Sequence, residues 1–356
     1  MTRSITITDW IDQRDTLPLV DVRTPAEYAQ GHIPGAYNVP LFSNEERVLV
    51  GTTYKQQSRE DAILLGFDLA GPKWSGFIRN CLQLAPGKRI AVHCWRGGMR
   101  SGAMAWALGM YGFEVYQIKG GYKEFRRWAH GLFARPFHLQ VLGGMTGSGK
   151  TRLLQHMQTC GQQVVDLEAL AQHQGSAYGS MNRMVQPTQE QFENNLAWAL
   201  KDLDISRRLW LEDESQKIGK CSIPLPLWQR MRGAPIIELQ VALEQRIAAL
   251  VQDYGCLDPD FLAERTEQIR KRLGPEQTRD AVIAIREGRM ADFIRIVLVY
   301  YDKTYRKGLS FREAGQVFPL TVTGHDIAAD SAALLAFAAT LPEPAALADN
   351  TGNIAG

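Results

Sequence analysis

The stretch HCWRGGMRS, residues 93–101, sets a cysteine, five intervening residues, then an arginine and a serine, with two glycines among the five. A cysteine acts as a nucleophile only as thiolate, and a thiolate is stabilised by unpaired backbone N–H groups, a helix N-terminus and nearby cations. All three are on offer here. Gly97 and Gly98 let the backbone curl so that successive N–H groups point inward, and Arg96 and Arg100 supply charge around Cys94. Such a cradle suits a thiolate that attacks phosphate, or one that carries a transferred sulfur or selenium atom. Cys81, Cys160, Cys221 and Cys256 have no comparable surroundings and read as structural.

A second chemical stretch is GMTGSGKT, residues 144–151, which fits G-x-x-x-x-G-K-[ST]. Gly144, Gly147, Ser148 and Gly149 leave N–H groups free to surround a diphosphate, Lys150 adds a mobile positive charge, and the Thr151 hydroxyl can reach Mg²⁺. The loop reads phosphate, not the group attached to it, so ATP or GTP is one candidate among several. A partner acid belongs at the end of a neighbouring strand. RLWLEDES, residues 208–215, supplies one, with Asp213 ranked first and Glu212 second. No residue set defines a metal site by itself.

These loops need strands to carry them. Residues 17–22 (LPLVDV), 89–93 (RIAVH) and 114–118 read as buried strands, with helices over 24–30 and 102–111. Cys94 then falls where a parallel strand meets a helix, the usual ligand position in an α/β sheet. A second α/β unit opens with the apolar run before Gly144, and further strands are expected at 163–167, 208–211, 235–239 and 318–322, with residues 258–305 mostly helical. The expected division is 1–130, 131–341 and a frayed tail at 342–356.

Composition sets outer limits. A chain of 356 residues, 45% hydrophobic and 22% charged, belongs with soluble globular proteins, and no apolar run approaches the roughly 18 residues of a membrane helix. A cytoplasmic protein without membrane contact is expected. Five scattered cysteines suggest neither a disulfide framework nor a zinc site. The net charge of +2 is uninformative, but residues 264–307 hold eleven basic against seven acidic side chains. Arg270, Lys271, Arg272, Tyr301 and Arg306 within it are candidates for a nucleic-acid surface, although from this feature alone a solvated helix face is the leading reading and phosphate contact the minority one.

The segment LVDVRTPAEYAQGHIPGAYNVP, residues 19–40, resembles the signature of rhodanese domains, with Asp21, Arg23, Glu27 and the run from Gly31 to Ala36. His32 and Glu27 there read as supports of the fold. The loop at Cys94 is one residue longer than in common sulfur-carrying rhodaneses, a spacing shared with cysteine phosphatases. A rhodanese-like segment followed by a phosphate loop, together with GTTYKQ (51–56), GSAYGS (175–180), QPTQEQFE (186–193), LEDES and YYDKTY (300–305), resembles the bacterial tRNA 2-selenouridine synthases. The resemblance implies an N-terminal rhodanese-like domain with a parallel sheet, then a P-loop NTPase-like α/β domain with a helical C-terminal region.

It further implies a transferase that replaces sulfur by selenium in 2-thiouridine at the wobble position of a tRNA anticodon arm, with selenophosphate as donor and a selenophosphate-producing enzyme as a possible partner. Geranyl diphosphate is implied as a second co-substrate, making S-geranyl-2-thiouridine as the intermediate. On that reading Cys94, Arg96 and Arg100 handle selenium, while the phosphate loop holds the geranyl diphosphate with Mg²⁺ and Asp213. Three other readings fit the motifs: a sulfurtransferase using ATP at the phosphate loop, a cysteine phosphatase, and a nucleotide-switched binding module.

Overall fold

The computed structural model describes residues 2–173, 178, 185–313 and 315–341, and these form two units. The expected GSAYGS segment, apart from Tyr178, and the tail at 342–356 lie outside the described residues. Unit 1 is Met1–Leu132 with Thr188–Trp198, and unit 2 is Phe133–Pro187 with Ala199–Gly356. The chain therefore leaves unit 1 after Leu132 and returns to it for eleven residues, which a simple division at 130 leaves out.

Unit 1 holds strands β1 (Thr2–Ile5), β2 (Leu19–Asp21), β3 (Tyr37–Asn38), β4 (Arg89–His93) and β5 (Glu114–Ile118). They form one sheet in the order β1-β5-β4-β2-β3, parallel throughout. Apolar side chains occupy both faces of the central strands, as parallel sheets require, and Val20, Ile90, Val92 and Val115 are fully buried. Thr24 and Glu27 close a capping box that starts the helix Pro25–Gln30. The helix after Cys94 runs Met99–Met110, three residues earlier than the expected start, so that it begins directly against the cysteine loop. β1 and β3 are strands the apolar pattern did not mark: three of β1's four residues are exposed, and β3 is two residues long at a sheet edge.

Unit 2 holds β6 (His138–Gly144), β7 (Gln163–Val165), β8 (Arg208–Glu212), the short antiparallel pair β9 (Lys217–Ile218) and β10 (Cys221–Ser222), β11 (Ile236–Gln240) and β12 (Val317–Thr321). Its main sheet is again parallel, in the order β12-β11-β6-β8-β7. The central strand β6 delivers the phosphate loop, and its neighbour β8 delivers Glu212. The expected helical stretch resolves into Pro259–Gln268, Arg270–Leu273, Pro275–Arg286 and Met290–Leu309. These helices pack around Phe293, Ile294, Val297 and Leu250.

Candidate active site

In unit 1, Cys94 leaves the end of β4 with 4% of its surface exposed. Its sulfur accepts the Gly98 N–H at 3.3 Å and lies 3.3 Å from the Ser101 hydroxyl. Burial pushes the thiol up, but the hydrogen bonds from Ser101 and Gly98 and the charge of Arg100 outweigh it, so its pKa falls below the ordinary value of 9.0. The thiolate is thus more accessible than that of an ordinary cysteine. Burial acts alone on Cys81 and pushes that thiol up to about 12.

The loop is held from outside. Gly97 has φ of +67°, and a Cβ there would come within 2.7 Å of the Ile118 carbonyl, so only glycine fits. Gln117 donates to the Gly97 carbonyl at 2.9 Å and to the Ser101 hydroxyl at 2.8 Å. The N–H groups of Tyr122 and Lys123, in the first turn of the helix Gly121–Leu132, donate to the carbonyls of Cys94 and Trp95 at 2.9 Å each. Arg100 is bound by two nitrogens to Glu27, whereas the exposed Arg96 makes no side-chain hydrogen bond or ion pair among the described residues. Arg96 is the cation left for an incoming anion.

Behind the loop, Asp21 and Arg23 form a fully buried pair, and the Arg23 guanidinium lies 3.8 Å from the centre of the Tyr122 ring. His32 stacks on Tyr28 at 3.9 Å and its N–H is taken by Gln191, so it supports the fold away from the sulfur. The segment QPTQEQFE supplies that contact. Glu190 accepts from the Tyr122 hydroxyl at 2.7 Å, and Asn194 donates to the same hydroxyl at 2.7 Å and to the His32 carbonyl at 2.9 Å.

In unit 2, Gly144, Gly147 and Gly149 all have positive φ, the loop geometry that turns N–H groups inward. A Cβ at Gly147 would come within 2.9 Å of the Arg246 carbonyl. Ser148 is buried, and its hydroxyl has no hydrogen-bond partner among the described residues. Lys150 donates to the Gly144 carbonyl at 2.8 Å and sits 3.6 Å from Glu212, and Thr151 donates to Glu212 at 3.2 Å. The Gly144 carbonyl and Glu212 together answer the lysine's charge.

The acids divide. Glu212 faces Lys150 and Thr151, whereas Asp213, ranked first from sequence, turns to Arg312 at 2.7 Å and Arg232 at 3.9 Å. Adjacent residues leaving a strand point to opposite faces, so only one of the two can face the loop. Glu212 joins Glu168 and Glu214, with one carboxylate oxygen from each lying within 4.8 Å of the others. Burial raises the pKa of Glu212, and burial with the charges of Glu212 and Glu168 raises Glu214 well above the usual range. Three oxygen donors beside a threonine hydroxyl and a phosphate loop fit Mg²⁺, a hard cation that would neutralise phosphate charge.

A cavity of about 890 Å³ opens over the phosphate loop, lined also by Tyr254, Arg272, Tyr300, Tyr301 and Tyr305. Arg272 and Tyr301, two of the candidates for a nucleic-acid surface, thus border this cavity, and Tyr301 is half-buried against the helical core. Arg270, Lys271 and Arg306 are exposed, with Arg270 paired to Glu267. Arg246 was invisible to motif reading. It is buried on the helix Leu243–Tyr254, donates to the Thr146 carbonyl at 3.0 Å, and grips Asp302 of YYDKTY at 2.7 and 3.1 Å.

A buried cysteine held by backbone and hydroxyl donors in a glycine loop on one parallel sheet, and a phosphate loop on another, define a two-unit protein of a thiol-bearing loop domain joined to a P-loop domain. Residues 6–127 match the Rhodanese-like domain model, and residues 137–320 match that of the tRNA 2-selenouridine synthase AAA domain. The chain is 39% identical over 265 residues to the tRNA 2-selenouridine synthase of Nitrosomonas europaea, covering 70% of this chain and 67% of that one. It is 37% identical over 272 residues to the enzyme of the same name from Nitrosomonas eutropha, covering 72% and 67%. To that of Hydrogenovibrio crunogenus it is 34% identical over 330 residues, covering 81% and 88%. The chain belongs to the tRNA 2-selenouridine synthase family and is an enzyme. Among the described residues no helix is long and apolar enough to cross a membrane.

Proposed function

We propose that this enzyme replaces the sulfur of 2-thiouridine in a tRNA anticodon arm by selenium, with selenophosphate as donor. The observation that carries the reading is the Cys94 sulfur, buried, hydrogen-bonded by Gly98 and Ser101, its pKa lowered by those bonds and by Arg100, in a loop where the exposed Arg96 has no side-chain partner among the described residues. A cysteine so placed suits attack on the phosphorus of selenophosphate: the S–P bond forms as the P–Se bond breaks, and hydroselenide leaves with the electron pair. Water then hydrolyses the S–P bond to release phosphate, and the Arg96 charge suits that phosphate.

Sulfur on C2 is a poor leaving group. Attack by that sulfur on C1 of geranyl diphosphate breaks the C1–O bond, and diphosphate departs with the electron pair as the N3 proton is lost. A selenium nucleophile then adds at C2 and geranyl thiol leaves, its sulfur taking a proton. The phosphate loop, with Lys150, Ser148 and Thr151, serves a phosphorylated co-substrate, either geranyl diphosphate or a nucleotide, and Glu168, Glu212 and Glu214 would hold its Mg²⁺.

The test is nucleoside mass spectrometry of tRNA containing 2-thiouridine after incubation with selenophosphate, with and without geranyl diphosphate. Selenouridine formed only when both are present supports the two-step reading. Unchanged 2-thiouridine in every mixture, with folded protein, overturns it in favour of sulfur carriage or phosphate hydrolysis at Cys94.

A further inference from the structure

Unit 1 contains a second cavity, of about 630 Å³, that neither loop explains. Its walls come from the helices Asn44–Gln56 and Arg59–Ala70, from Leu41 and Phe42 before them, and from the first turn of the helix Met99–Met110. Leu41, Phe42, Val50, Ile63, Phe67 and Trp74 make the lining apolar. Phe67 and Tyr54 remain 56% and 53% exposed, a large aromatic surface that the described residues leave uncovered. The helix Arg59–Ala70 explains the opening: Ala62, Ile63, Leu64, Phe67 and Ala70 spread apolar side chains over more of its circumference than one packed face needs.

The charges are one-sided. Arg47, Lys55, Arg59 and Arg100 border the cavity, and among the described residues no carboxylate does. Arg100 is taken by Glu27, but the side chains of Arg47, Lys55 and Arg59 are exposed and have no hydrogen-bond or ion-pair partner among the described residues. GTTYKQ, the one fully described sequence motif with no role so far, contributes Gly51, Tyr54 and Lys55 to this lining. Gly51 and Gly66 keep space open where side chains would intrude.

We infer that this cavity binds a short hydrocarbon chain carrying a phosphate-type anionic head, with the chain among Phe42, Ile63, Phe67 and Trp74 and the head on Arg47, Lys55 and Arg59. The size suits such a ligand, since small-molecule pockets run about 300–1,000 Å³. An uncharged lipid or a protein helix would leave the cations unanswered, and a nucleotide would leave the apolar wall unfilled. The inference deepens the proposed function, resting on it for the choice of geranyl diphosphate as probe. It places that co-substrate in unit 1, beside the helix that follows Cys94, and frees the phosphate loop for a nucleotide.

Calorimetric titration of the full chain with geranyl diphosphate, geraniol and inorganic diphosphate tests the assignment. Geranyl diphosphate is expected to bind more tightly than either part alone. Gly66→Trp, which fills the cavity, and the triple change Arg47→Ser, Lys55→Ser, Arg59→Ser should each weaken it by about tenfold or more. The triple change is entirely at exposed positions and keeps the test decisive if Gly66→Trp does not fold. Lys150→Ala tests the competing site: binding lost in that variant and intact in the triple variant overturns the inference, as does no binding by the unaltered protein. Selenium transfer to tRNA already carrying S-geranyl-2-thiouridine, measured in parallel, fails only if the proposed function fails, so the two can be told apart.

Discussion

Arg100 holds the carboxylate of Glu27 with two nitrogens, at 2.6 and 3.0 Å, across 73 residues of chain. The pair joins the helix behind the cysteine loop to the capping box at Thr24, so one carboxylate orients a cation of the site and starts a helix.

Glu27→Ala removes both contacts. The half-buried Arg100 then lacks a partner and the helix loses its capping-box acid, a loss of about 2–4 kcal/mol. Urea denaturation should show that fall. Glu27→Gln should restore the cap and only part of the stability. A change below about 0.5 kcal/mol for Glu27→Ala would mean the pair is too solvated to matter.

The depressed Cys94 pKa has a definite sign. A thiolate favoured in the folded state adds stability that is complete above the ordinary value of 9.0 and is lost as pH falls through the depressed value. Ser101→Ala removes a hydrogen bond to the sulfur, so the acid limb of the selenium-transfer profile should move to higher pH. The thiolate absorbance, taken as unaltered protein minus Cys94→Ser, should move with it. An unmoved profile would detach Ser101 from the thiolate.

Both loops were legible because their chemistry is written in contiguous residues: glycines, a lysine or cysteine, and an apolar strand ahead. What was not legible joins distant parts of the chain. Glu212 and Asp213 are chemically alike in sequence, and only the register of β8 beside β6 turns the first to Lys150 and the second to Arg312. The helix Gln189–Leu200 shows an ordinary amphipathic pattern, which says that it packs and not against which sheet. The same limit hid Arg246, whose partners lie 100 and 56 residues away.

Asn194 is fully buried, and its amide serves Tyr122 and His32 while its oxygen accepts from Arg126. Asn194→Ala strands these groups and should cost about 2–3 kcal/mol. Because Tyr122 also binds the Cys94 carbonyl through its N–H, hydrogen exchange should quicken at residues 119–125 and in the cysteine loop, and stay unchanged in β6 and β8. Uniform quickening in both units would contradict the assignment of this segment to unit 1.

Arg246, paired with Asp302, is coupled to the phosphate loop through the Thr146 carbonyl and the Met145 sulfur. Arg246 keeps 4% of its side chain exposed and Asp302 16%, so removing either leaves a largely buried charge unanswered, at about 3–5 kcal/mol. Arg246→Met should therefore destabilise unit 2 and slacken the loop. Asp302→Asn leaves Arg246 free to hold Thr146 and should weaken phosphate-ligand binding less than Arg246→Met does. A double-mutant cycle on ligand affinity separates the two effects. Equal losses in both single variants and in the double variant would show that the pair acts as a unit. Additive losses would mean that Asp302 reaches the ligand by another path.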